Sequence, residues 1–147
     1  MTKIEKWDRR FLVLAKHIAE WSKDESTKVG AVIVDDKNRI ISVGYNGFPR
    51  GVDDSVERYS NRPVKYQMIV HAEINAMIFA NRSLAGCTLY THPFGPCSRC
   101  ACQVIQHGIS RVVSPTLPHE LHERWRADLD ISAMMFREAQ VDVVEYS

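Results

Sequence analysis

Apolar residues recur at helical spacing from Trp7 to Ser22, where Trp7, Phe11, Leu14, Ala15, Ile18 and Trp21 form one stripe able to cover a sheet. The Lys23-Asp24-Glu25-Ser26 stretch ends that pattern. Val29 to Val34 and Arg39 to Tyr45 are then rich in β-branched residues, and Asp35-Asp36-Lys37-Asn38 between them predicts an antiparallel hairpin. A glycine-punctuated loop follows from Gly44 to Gly51, and Val52 to Tyr66 reads as polar and irregular. Helical periodicity returns over Ile69 to Arg82, with Ile74, Met77 and Ile78 spaced for burial. Gly86 introduces a short strand, Cys87 to Thr91, and a helix is predicted from Cys97 to His107, stopped by Gly108. Arg111 to Ser114 is a further strand. Pro115 and Pro118 bracket a turn before a long helix from Leu121 to Glu138, and Val141 to Tyr146 alternates as a last strand.

The order α-β-β-α-β-α-β-α-β implies an α/β fold with one mixed five-stranded sheet and helices on its faces. A chain of 147 residues, 45% of them hydrophobic, supplies one continuous core and predicts a single domain over residues 1–147. Nineteen Lys and Arg against 18 Asp and Glu leave no long run of like charge, so a long polyanion such as nucleic acid is not the expected main partner. The first residues lack an apolar stretch of the kind that a secretory signal or membrane span needs, from which a cytoplasmic protein is expected. Three of the four cysteines, Cys97, Cys100 and Cys102, lie within six positions, a poor disulfide framework that points instead to metal binding or catalysis.

The chemistry concentrates in His71-Ala72-Glu73 and Pro96-Cys97-Ser98-Arg99-Cys100. Cys97 and Cys100, three apart at the start of a helix, share a face and can grip one ion. The positive end of that helix and a Zn²⁺ ion both favour the thiolate form. His71 supplies a third ligand, leaving a tetrahedral zinc with one open position, as catalytic sites have and closed structural ones do not. Zinc lowers the pKa of bound water to about 7, giving a nucleophile for an electron-poor ring carbon. Glu73, two positions beyond His71, is placed as proton carrier rather than ligand. Together the two segments match the pattern of zinc deaminases.

Other readings of these residues remain. A structural zinc knuckle needs four ligands, and no second cysteine pair is available. A thioredoxin-like redox pair leaves Pro96 and the distant His-x-Glu unexplained. Cys102 and Cys87 read as small buried apolar residues. His17, His92, His107, His119 and His122 read as surface or satisfied core positions, with His92 near enough to Cys97 to line a pocket. A zinc-stabilised binding domain without turnover is the non-enzymatic alternative, against which Glu73 argues, since a structural site has no use for that carboxylate.

Over almost its whole length the chain also resembles the deoxycytidylate deaminases of the cytidine deaminase superfamily. The blocks that carry the resemblance are Val29-Gly30-Ala31-Val32-Ile33-Val34, Gly44-Tyr45-Asn46-Gly47-Phe48-Pro49-Arg50-Gly51, His71-Ala72-Glu73-Ile74-Asn75-Ala76 and Gly108-Ile109, in that order. The resemblance implies a three-layer α/β/α, cytidine deaminase-like fold with His71, Cys97 and Cys100 on Zn²⁺ and Glu73 as proton shuttle. It implies hydrolysis of dCMP to dUMP with release of ammonia. Alternatives within the superfamily are CMP, a modified cytosine nucleotide, a nucleoside or adenosine in transfer RNA.

By the same carry-over Asn46 hydrogen-bonds the sugar hydroxyl, although Asn beside Gly is equally a turn residue. Ala72 offers its backbone N–H and small side chain to the pyrimidine. For the phosphate, Ser22, Lys23, Ser26, Thr27 and Lys28 offer hydroxyls and ammonium groups, Arg50 is a comparable candidate, and the plain reading of that loop is solvated surface. Members of the family are often hexamers switched on by dCTP and off by dTTP, which makes a homo-oligomer an expectation and Phe79 and Arg82 candidate allosteric residues. Core packing and a favourable helix-end charge are their structural alternatives. Two features depart from the family: Tyr90 to Cys97 is one residue longer, and no Cys or His between Val52 and Val70 offers ligands for a second, structural zinc.

Overall fold

The computed structural model describes residues 1–147 apart from the side chain of His122, so the position expected for that imidazole lies outside the described residues. Its elements run α1 (Lys3–Ala19), β1 (Gly30–Val34), β2 (Ile40–Tyr45), α2 (Val56–Ser60), α3 (Arg62–Met68), α4 (Ala72–Ala80), β3 (Thr88–His92), α5 (Ser98–Gln106), β4 (Arg111–Pro115), α6 (His119–Glu138) and β5 (Asp142–Tyr146). The strands form one mixed sheet in the order β2-β1-β3-β4-β5, with β1 antiparallel to β2 and β3, and β3, β4 and β5 parallel.

The expected hairpin forms β1 and β2. Asp35 closes its turn by accepting the Lys37 and Arg39 backbone N–H groups, each at 2.9 Å, while Asn38 takes the left-handed conformation at φ 61°. The segment 52–66, read from the sequence as irregular, instead folds largely into α2 and α3. Ser55 caps α2 through the Arg58 N–H, and Asn61 ends α2 and caps α3, which carries Pro63 in its first turn. Helices this short show no periodicity, and the signal lay in their caps.

Alternate residues of each strand feed opposite faces of the sheet. Ala31 and Ile33 of β1, Leu89 of β3 and Val112 of β4 pack with Ala72, Ala76 and Met77 of α4, Ala101 and Val104 of α5 and Phe136 of α6. Val32, Val34, Tyr90 and Val113 face Phe11, Leu12 and Ala15 of α1. The result is three layers, α1 over one face and α4, α5 and α6 over the other. Two strand glycines allow close approach: a Cβ on Gly30 would stand 2.1 Å from the Ala15 carbonyl oxygen of α1, and one on Gly44 would stand 2.5 Å from the Ala72 carbonyl oxygen of α4.

Three expectations about burial are corrected. Ile78 is 62% exposed because it lies on the solvent side of α4, opposite Ala76 and Met77, and Trp21 is 53% exposed because α1 ends before it, at Ala19. Cys102 is exposed beside Met135, whereas Cys87 is buried as expected. His17, His107 and His119 lie on the surface and His92 is half-buried.

Candidate active site

The register of the sheet brings three loops to one end. Gly30, which opens β1, pairs with Tyr45 at the end of β2 and with His92 at the end of β3. Thr27 and Val29, Asn46, and Phe94 and Gly95 therefore converge on a cleft of about 210 Å³, which they line with His71, Ala72, Glu73 and Cys97. Asn46 locks this end together. Its side chain accepts the Val29 N–H and donates to the Thr27 carbonyl, both at 2.9 Å, and its own carbonyl accepts the Ser22 hydroxyl at 2.8 Å.

The two halves of the metal motif sit at two helix N-termini. An isolated bridge between Gly47 and Val70 fixes the chain just before His71, the residue that precedes α4, and Cys97 holds the equivalent position before α5. Neither side chain caps its own helix, so both remain available for a ligand. His71 Nδ1 lies 3.2 Å from Cys100 Sγ and 3.5 Å from Cys97 Sγ. The three donor atoms are all within 4.8 Å of one another. Bond lengths of 2.0–2.1 Å to nitrogen and 2.3 Å to sulfur at tetrahedral angles put N and S about 3.6 Å apart, so this donor set fits zinc.

The electrostatics agree. The hydrogen bond from Cys100, reinforced by His71, pulls the Cys97 thiol down to about 4 against the opposing effect of burial, while hydrogen bonding to Cys97 and burial push Cys100 far up. The hydrogen bond to Cys97 raises the His71 imidazole. A site built this way holds one thiolate by itself and needs a cation to hold two. Glu73, in the first turn of α4, stands outside the donor cluster but lines the same cleft, and burial pushes its carboxyl above the ordinary carboxylate range.

Of the residues proposed for phosphate, Ser26 and Thr27 line the cleft. Ser22 is buried beneath it on Asn46, Lys23 is exposed and paired with Asp54 at 2.7 Å, Lys28 is half-buried outside the lining, and Arg50 lies outward with its guanidinium 5.9 Å from the Phe79 ring. Phe79 is 56% exposed, which sets aside core packing for it, and Arg82 bonds the Ser83 carbonyl beyond the end of α4. The cationic side chains that do line the cleft are Arg62, Lys65 and Arg124. Lys65 is buried, paired with Asp24 at 3.2 Å and bonded to Ser26 at 3.0 Å. Phe94 and Trp125, their rings 6.1 Å apart and nearly parallel, form an aromatic wall. Arg62, Lys65, Arg124 and Trp125 were missed because they arrive from α3 and α6, whose approach to the motifs no local spacing reveals. The loop between β3 and Cys97 contributes Phe94 and Gly95 to the lining, with the Phe94 carbonyl held by Thr91 Oγ1 at 2.9 Å.

One imidazole and two thiols at paired helix N-termini, with a buried carboxylate beside them, define a metal-dependent hydrolytic centre on a three-layer α/β/α scaffold. Residues 5–116 match the family model of the cytidine and deoxycytidylate deaminase zinc-binding region, and the chain belongs to that family. An uncharacterised deaminase from the luxG 3′ region of Aliivibrio fischeri is 46% identical over 140 residues, 95% of this chain and 93% of its own length. Human deoxycytidylate deaminase is 38% identical over 113 residues, 73% of this chain, and this match spans 63% of the human protein. The structure of dCMP deaminase from cyanophage S-TIM5 in complex with dCMP and dUMP superposes with a TM-score of 0.75 at 24% identity, covering 99% of this chain and 98% of that one, a likeness of fold.

Proposed function

We propose that this protein hydrolyses the 4-amino group of dCMP, giving dUMP and ammonia. One observation carries the reading: a buried carboxylate, Glu73, lines a cleft together with His71 and Cys97 of the His-Cys-Cys donor set, and the same cleft is lined by Arg62, Lys65 and Arg124. Such a cleft suits an uncharged ring joined to a phosphate. The family membership and the deoxycytidylate deaminases among the relatives support the same substrate.

His71, Cys97 and Cys100 hold the zinc, which when bound supplies a nucleophile near neutral pH by acidifying water. Glu73 accepts a proton from the water that adds to C4 of the pyrimidine and passes it to N3. It then carries the second proton of that water to the departing amine, the C4–N4 bond breaks, and ammonia leaves with both protons accounted for. Burial raises the carboxyl of Glu73, which favours its uptake of a proton during the reaction. Ala72 opens α4 without a side-chain cap before it, so its amide is available to the pyrimidine. Asn46 keeps a second amide hydrogen and a second lone pair for the sugar hydroxyl. Ser26 and Thr27, with Arg62 and Arg124, take the phosphate, and the Phe94–Trp125 wall bounds the ring.

The wider reading is of a cytoplasmic homo-oligomer, with dCTP and dTTP as candidate effectors acting through Phe79 and Arg82. No helix among the described residues is long and apolar enough to cross a membrane. Exposed Ile78 and Phe79 on α4 offer an apolar surface to another subunit. The test is ammonia release from the zinc-loaded protein with dCMP, CMP, deoxycytidine, dCTP and 5-substituted dCMP. Preference for dCMP is expected, and equal kcat/KM for dCMP and deoxycytidine would remove the phosphate from the reading.

A further inference from the structure

The N-terminus of α5 poses a problem that its own sequence does not solve. A helix needs an acceptor for its first N–H groups, and the residue before the helix normally supplies one from its side chain. Cys97 occupies that position and makes no such bond, consistent with a sulfur reserved for metal. The acceptor comes from elsewhere in the chain. Asp128, on α6, takes the Ser98 backbone N–H on Oδ2 at 2.9 Å and the Ser98 hydroxyl on Oδ1 at 2.6 Å. A carboxylate there also meets the positive end of the α5 dipole.

We infer that Asp128 is a positioning residue of the metal centre, capping α5 from α6 so that the Cys97 sulfur stays directed to the ion. Its grip falls on the residue adjacent to Cys97, and both oxygens are engaged, so the α5 terminus is held against translation and rotation alike. Asp128 also ties the metal-ligand helix to the cleft wall, since Arg124, Trp125 and Leu129 line the cleft from α6. Asp128 and the α6 residues that line the cleft lie outside residues 5–116, the span matched by the family model, whereas Cys97 and Ser98 lie within it. The capping carboxylate is therefore supplied by the C-terminal part of this chain to a helix of the matched zinc-binding region.

The inference rests on the zinc reading of His71, Cys97 and Cys100, and the experiment separates the two. Zinc affinity is measured by competition with a chromogenic chelator for the unsubstituted chain, Asp128→Ala, Ser98→Ala and the double variant, with helix content followed by circular dichroism. The unsubstituted chain binding no zinc would sink the site itself. Given zinc binding there, Asp128→Ala is expected to weaken it about 10- to 100-fold, the usual cost of losing a group that orients a ligand. Ser98→Ala, which removes one of the two bonds and keeps the helix, is expected to weaken it less, and the double variant no more than Asp128→Ala alone. Cobalt-substituted Asp128→Ala is expected to show shifted thiolate-to-metal and d–d bands, a change in ligand geometry that plain loss of stability does not give. Parent-like affinity in Asp128→Ala overturns the inference. Should that variant not fold, parent-like affinity in Ser98→Ala overturns it instead.

Discussion

Arg111 grips Asp8 with both terminal guanidinium nitrogens, at 2.7 and 2.5 Å, and the same carboxylate accepts the Tyr90 hydroxyl at 2.6 Å and the Tyr146 hydroxyl at 2.7 Å. One buried aspartate of α1 thus bonds to β3, β4 and β5 together, on the face away from the cleft. Burial alone pushes this carboxyl up, but the bonds from Arg111, Tyr90 and Tyr146 outweigh it and hold its pKa below the ordinary value. Stability from a depressed carboxyl is fully present above its unfolded pKa, about 3.9, and is lost as pH falls through the folded value. Asp8→Asn is therefore expected to cost about 3 kcal/mol near neutrality and to lower the Tm by roughly 10 °C. The gap between variant and parent narrows below about pH 4. Urea unfolding at several pH values checks both, and a gap independent of pH down to pH 2 would refute the assignment.

Glu73→Gln preserves the shape of the cleft and removes the proton carrier. Zinc content is expected to stay at one ion per chain while kcat falls by about 10²- to 10⁴-fold. Metal analysis beside an ammonia-release assay decides it. Loss of zinc together with activity would make Glu73 a ligand rather than a carrier.

Removing the metal with a chelator is expected to abolish ammonia release, and stoichiometric zinc to restore it. Cys100→Ala deletes one of three donors and is expected to do the same irreversibly, with weaker zinc retention on dialysis. Restored turnover on adding zinc to that variant would show that the buried thiol is dispensable.

Arg62→Ala addresses the phosphate. A charge-assisted bond contributes about 1.5–3 kcal/mol, so kcat/KM for dCMP is expected to fall between about 10- and 100-fold, with deoxycytidine unaffected. An equal fall for both substrates would place Arg62 in the scaffold.

Much of this arrangement is legible in the sequence. The β-branched runs of β1 and β2, the Asp35–Asn38 turn and the long helix before β5 follow from residue type, periodicity and turn chemistry alone, because each is decided within a short stretch of chain. The metal site is legible because its residue types and spacings are dictated by the ion. What escapes is whatever tertiary contact decides. Lys65 meets Asp24 and Ser26 across the fold, and Trp125 reaches the cleft and Asp128 reaches Ser98 only because α6 lies beside α5. Likewise Ile78 shares its apolar character with Met77 but not its burial, since α4 shows the sheet only one side.

The hydrogen that stands for a side chain at Gly44 acts at a distance in sequence. It lets the first turn of α4 rest directly on β2, and that turn bears Glu73 and follows His71. A single added methyl would lift the turn, carrying imidazole and carboxylate away from two sulfurs anchored on a different helix. Chemistry at this centre is thereby calibrated by the thinnest residue of a neighbouring strand, one that touches neither ion nor nucleotide.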